Sequence, residues 1–225
     1  MDGSLAPPRP SEEQFRSSDD ETKGPTMANI SRITDFLFTG GDLPVHLGTA
    51  AMLADLDDYR GEGITHVVDN RMECSDEGFF AKHAPDLVYV HNGQDDRGQR
   101  MPDAWFDRGV GAAMEALARS TEAVVLVHCH MGVDRGPSLA YAILLALGWD
   151  TLDAMRALRA ARPIAAAHYS ADALDWWLRF DGAAAAVRRR EHRRLAEWHE
   201  RHPLDVRHVV RRQRELEAAG LPLGA

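Results

Sequence analysis

The sequence predicts an α/β fold with a central, mostly parallel sheet flanked by helices. Two observations carry that expectation. β-branched or apolar runs ("ITHVVDN", "DLVYVHN", "EAVVLVHC") alternate with stretches of helical periodicity. The run "EAVVLVHC" is apolar without a break, as a strand covered on both faces must be.

In chain order, "DFLFTGG" reads as a short strand closing on glycines. "LGTAAMLADLDDYRGEG" has helical spacing and stops at Gly61 and Gly63. The strands "ITHVVDN" and "DLVYVHN" follow. "PDAWFDRGVGAAMEALARS" opens a helix at Pro102 and sets Trp105, Phe106, Val110, Met114 and Leu117 near one face. After "EAVVLVHC", "GPSLAYAILLALGW" is an apolar, buried helix ending at Gly148. "TLDAMRALRAARP" is amphipathic, capped by Asp150 or Thr151 and stopped by Pro163. "YSADALDWWLRF" is one more helix, in which Trp176 and Trp177, like Tyr169 before them, are expected to pack rather than to stack on a substrate. Residues 184–202 and 204–219 read as helices on either side of Pro203.

Three regions result. Residues 1–26, rich in Pro, Ser, Asp and Glu, are expected to be disordered. Residues 27–182 form the folded body, and 183–225 an arginine-rich helical extension. The net charge of −9 argues against general nucleic-acid binding. The extension, with ten arginines and six acids, carries +4, so the rest carries −13. Its arginines are expected to face solvent; a basic helix docking on an acidic partner or a membrane surface is the minor alternative. No apolar run approaches the ~18 residues of a membrane span. No signal peptide is visible, and two cysteines do not make a disulfide framework, so a cytoplasmic location is expected.

The stretch "VHCHMGVDRGPS" carries the chemistry. Ligands of open α/β sheets bind where strands end and helices begin. The strand ends at Cys129, the helix begins near Arg135, and Gly132 supplies the freedom for the tight loop between. Successive amides in such a loop, from His130 through Met131, Gly132 and Val133 to Asp134, form an anion cradle, to which the helix dipole adds. Arg135 can fork onto two oxygens of a bound phosphate. The same field is expected to depress the Cys129 thiol and make it a nucleophile for in-line attack on phosphorus, with His128 orienting the loop through its carbonyls.

"HCHMGVDR" resembles the His-Cys-x5-Arg signature of the cysteine-dependent protein phosphatases. Residues 29–182, about two-thirds of the chain, look like the dual-specificity branch, with likeness also in "SRITDFLFTGG", "GITHVVDN" and "LRAARPIA". The resemblance implies a compact α/β domain that hydrolyses phosphoserine, phosphothreonine or phosphotyrosine of protein substrates with no metal or cofactor. It implies a general acid on the loop "HNGQDDRGQRMPD", where counting from Tyr89 and back from "AWF" lands on Asp96, with Asp95 as its neighbour or substitute.

The likeness breaks at two loop positions. Many members have Ser or Thr directly after the arginine; here that position is Gly136, and the hydroxyl lies at Ser138, which could help the thiolate leave. Asp134 precedes Arg135, a costly place for a negative charge unless it points away or pairs. An Asp-Arg pair is similar to that of the myotubularin lipid phosphatases, which makes Asp134 a third acid candidate and phosphoinositides a second substrate class. The loop lacks the lysine of tensin-type inositide phosphatases. A phosphate-binding pseudophosphatase and, with a poorer fit, a rhodanese-type sulfur transferase complete the alternatives. Cys74 could lie at the same sheet edge as Cys129; a free thiol is the expectation, a reversible disulfide the minor alternative.

Overall fold

The computed structural model describes residues 28–221, so the expectation for residues 1–26 lies outside the described residues. Five strands form one sheet in the order β1-β2-β5-β3-β4. β1 (Ile30–Thr34) and β2 (Leu37–Gly40) make an antiparallel hairpin. β3 (His66–Arg71), β4 (Val88–Gln94) and β5 (Val125–His128) run parallel to one another and to β2. Of "DFLFTGG", read as one short strand by sequence, only Leu37–Gly40 is strand: the chain reverses at Asp35 and Phe36, and β1 precedes the turn. β5, the unbroken apolar run, is the middle strand.

Alternate residues feed two cores. Leu37, Val68, Val125 and Val127 face one side. Phe38, Val67 and Leu126 face the other, where α1 (Thr49–Gly61) and α2 (Glu77–His83) supply Leu56, Tyr59 and Phe80. α3 (Asp103–Arg119), α4 (Arg135–Ala146), α5 (Thr151–Ala161) and α6 (Ser170–Phe180) pack on the first side. α4 buries nearly its whole surface, as its apolar sequence requires. The Asp150 side chain caps α5 by accepting from the Leu152 amide.

α7 (Ala185–Arg201) adds Leu195 and Trp198 to the principal core, and most of its arginines face solvent. α8 (Val206–Ala218) lays Val206 and Val209 with Leu204 against Met131, Val133 and Ala166, so the extension reaches the back of the loop that follows β5. Among the described residues no helix is long and apolar enough to cross a membrane.

Candidate active site

The parallel register brings Gly40 of β2, His128 of β5 and Asp69 of β3 level with one another at the carboxyl end of the sheet. Cys129 follows β5 directly. Its amide donates to Gly40 O at 3.3 Å, and the buried Asn70 side chain donates to His128 O at 2.9 Å. Both bonds pin the point where strand becomes loop.

The four carbonyls that follow are all held from outside. His130 O accepts from the Asp42 amide at 3.0 Å. Met131 O and Gly132 O accept from the Arg162 guanidinium, at 3.0 and 2.6 Å. Val133 O accepts from the amides of Ala166 and Ala167, at 2.8 and 3.1 Å. A planar trans peptide sets each N–H opposite the preceding carbonyl. The amides of Met131, Gly132, Val133 and Asp134 therefore turn to the other side, towards Cys129, and those of Asp134 and Gly136 bond its sulfur. Gly132 sits at φ +63°, and a Cβ there would lie 2.4 Å from Arg162 Nη2 and 2.5 Å from Gly40, so no other residue fits.

Arg135 opens α4 with its side chain 5% exposed. One edge is structural: Nη1 donates to Asn70 O at 3.2 Å and Gln94 O at 2.9 Å. Glu73, on the segment after β3, forks onto the guanidinium, Oε1 to Nη2 at 2.7 Å and Oε2 to Nη1 at 2.8 Å. That pairing holds the Glu73 carboxyl at about 2. The buried Nε has no hydrogen-bond acceptor, although Asp96 Oδ2 lies 3.3 Å away.

The depressed thiol expected from the sequence is corrected here. Cys129 is 3% exposed, and burial pushes its thiol up; Arg135 and the two amides pull it down but do not prevail. Arg135 is already neutralised by Glu73, which weakens its pull. His128 is buried too, with Nδ1 3.4 Å from Cys129 O, and burial holds the imidazole below its ordinary range. His130 is turned to Asp42, Nδ1 to Oδ2 at 2.9 Å, and through Asp42 joins a buried network in which Arg71 binds Asp42, Asp69 and Asp76.

The acid candidates separate. Asp96 points at Arg135 and accepts from the Tyr169 hydroxyl at 2.6 Å. Asp95 faces Arg97 at 3.6 Å. Asp134 points away, its Oδ1 accepting from the His168 amide at 3.1 Å and lying 3.2 Å from His168 Nδ1. The Ser138 hydroxyl is buried and accepts from the Tyr169 amide at 3.2 Å. Gly136 is packed under β5, where a Cβ would sit 3.1 Å from His128, so a side chain there needs the strand to give by a few tenths of an ångström. Cys74 is exposed and Cys129 buried, and both are free thiols.

Sequence reading missed Asn70, Glu73, Arg162 and the phenol of Tyr169. Three come from distant segments with no local motif. Only Arg162 had a signal, a cation just before Pro163 at a helix end, where the chain turns towards the loop.

No family model and no curated protein matches the sequence. Solved structures do. PTPMT1 in complex with PI(5)P is 18% identical, with a TM-score of 0.55 over 70% of this chain and 99% of that one. A mouse dual-specificity phosphatase complexed with zinc tungstate is 19% identical, with a TM-score of 0.55 over 75% and 95%. Human DUSP28 is 17% identical, with a TM-score of 0.54 over 68% and 95%. The chain has their fold, and a quarter to a third of it extends beyond what they match.

Proposed function

Starting from the dual-specificity phosphatase fold, we propose that this protein is a cysteine-dependent phosphatase that hydrolyses phosphomonoesters without a metal ion. The observation that carries the reading is the pair Arg135 and Glu73. A buried guanidinium keeps one N–H without an acceptor and offers the next to a carboxylate, directly above a cysteine ringed by amides. Glu73 stands where a dianionic phosphate would bind, and a phosphate brings more charge and more acceptors to the same donors.

The chemistry follows from the cradle. The Cys129 thiol first gives its proton to solvent; its thiolate then attacks phosphorus, the S–P bond forms and the bond to the leaving oxygen breaks in line. Asp96 protonates that oxygen, steadied by the Tyr169 hydroxyl. The loop amides and Arg135 take up charge on the equatorial oxygens. A water, giving its proton to Asp96, then attacks phosphorus and releases inorganic phosphate and the thiolate. With Gly136 in place of a hydroxyl residue, breakdown of the cysteinyl-phosphate has less help, so a burst of product is expected. Ser138 accepts from the Tyr169 amide and so stands behind the residue that steadies Asp96. Phosphoproteins, handled by a cytoplasmic enzyme, are the first substrate class. Phosphoinositides are the second, favoured by the lipid named in the PTPMT1 complex.

The test is p-nitrophenyl phosphate hydrolysis, followed by a panel of phosphopeptides and phosphoinositides. Cys129→Ser is expected to abolish turnover, and Asp96→Asn to lower it ~100-fold, with Asp95→Asn and Asp134→Asn within a few-fold of wild type. A folded wild type as inactive as Cys129→Ser, yet binding phosphopeptide, would make the protein a phosphate-binding module instead.

A further inference from the structure

Arg162 is 2% exposed, and it does not sit there as half of an ion pair: among the described residues no carboxylate pairs with it. Its donors go instead to four oxygens: Gly132 O and Met131 O of the loop, Asn29 Oδ1 at 2.8 Å and Ser31 Oγ at 3.2 Å. Ser31 lies in β1 and Asn29 directly precedes it, so the guanidinium ties the loop to the edge of the sheet. The other braced loop carbonyls, at His130 and Val133, are held by backbone amides. The two central ones depend on this one side chain.

Taking the phosphatase reading as its premise, we propose that Arg162 is a positioning residue for catalysis: by fixing the carbonyls of Met131 and Gly132 it aims the amides of Gly132 and Val133 at the phosphate. Each fixed peptide plane carries a carbonyl on the Arg162 side and an N–H on the Cys129 side, so loosening the brace blurs two of the donors on which anion affinity rests. Gly132 is part of the same device, since any Cβ there would drive Arg162 Nη2 off its carbonyl. The charge has a second use. Burial lowers Arg162 to about 10, still protonated at neutral pH, and Cys129 is the group whose negative charge favours it.

The test reads phosphate binding without requiring turnover. Alkylation of Cys129 by iodoacetate, mapped by peptide mass so that Cys74 is counted separately, is measured against inorganic phosphate concentration and against pH. Arg162→Gln is expected to weaken phosphate protection at least tenfold and to move the alkylation profile to higher pH. Arg162→Lys, which keeps the charge but loses the planar fork, is expected to weaken protection several-fold while leaving the profile near wild type. Phosphate protection at the wild-type level in either variant, with circular dichroism and melting unchanged, would overturn the role of Arg162; so would equal profiles in Gln and Lys. A wild type that phosphate does not protect and that hydrolyses no p-nitrophenyl phosphate would instead remove the phosphatase reading, and this proposal with it.

Discussion

Arg135 shows how one side chain can be both framework and ligand. Its Nη1 is tied to the carbonyls of Asn70 and Gln94, so the guanidinium keeps its plane whether or not anything is bound. Its Nε and Nη2 are the working edge, and Glu73 covers half of it. The Glu73 carboxyl is held at about 2, so at neutral pH it is ionised and cancels charge that would otherwise stabilise a thiolate. Glu73→Gln is therefore expected to lower the Cys129 thiol. Because the attacking form is the thiolate, the acidic limb of kcat/KM then moves to lower pH, and the inhibition constant of inorganic phosphate falls several-fold. A limb that stays in place, with phosphate binding no tighter, would mean that Glu73 only steadies Arg135.

At the scale of elements, the end of β3 and the segment joining it to α2 do the most to assemble the site. Asn70 holds the end of β5, Arg71 gathers three carboxylates beneath His130, and Glu73 reaches Arg135. α2 itself escaped the sequence reading, since "EGFFAKH" spans only seven residues, too short for helical periodicity to declare itself. α1 carries a different conflict. Asp55 is buried on its inner face, and burial, with Asp58 nearby, raises its carboxyl to about 7. A carboxyl whose folded value lies above its ordinary 3.8 binds its proton more tightly in the native state. It therefore costs no stability below pH ~4 and progressively more as pH rises to 7. Asp55→Asn is expected to be more stable than wild type at pH 8, by on the order of 2–4 kcal/mol, and no more stable at pH 4. Urea melts at the two pH values check this, and an equal difference at both would refute it.

For the molecule as a whole, the arginine-rich extension is built into the body rather than appended to it. α7 puts Leu195 and Trp198 into the core beneath α5 and α6, and α8 backs the loop after β5 with Val209 against Val133. Leu195→Ala is expected to cost about 2–5 kcal/mol in a single cooperative transition that carries the whole fold with it. A separate, earlier transition confined to the extension would show that residues 183–225 fold apart. The sequence by itself determined the alternation of most strands and helices, the central place of β5, and the tight loop from Cys129 to Arg135 between strand and helix. These are local properties, written in the period of apolar residues and in the spacing of a cysteine, a glycine and an arginine. Tertiary structure alone decided which aspartate faces Arg135, what holds the loop carbonyls, and whether the thiol is depressed. Counting along the chain put Asp96 ahead of Asp95, and the structure turns Asp96 to Arg135 under the hydroxyl of Tyr169, which arrives from the start of α6, while Asp95 faces Arg97. Arg162 and Glu73 reach the loop across sequence separations of 30 and 62 residues, and nothing local marks Glu73. The thiol turned on a balance between burial and compensated charge, and that balance exists only once the chain has closed around Cys129.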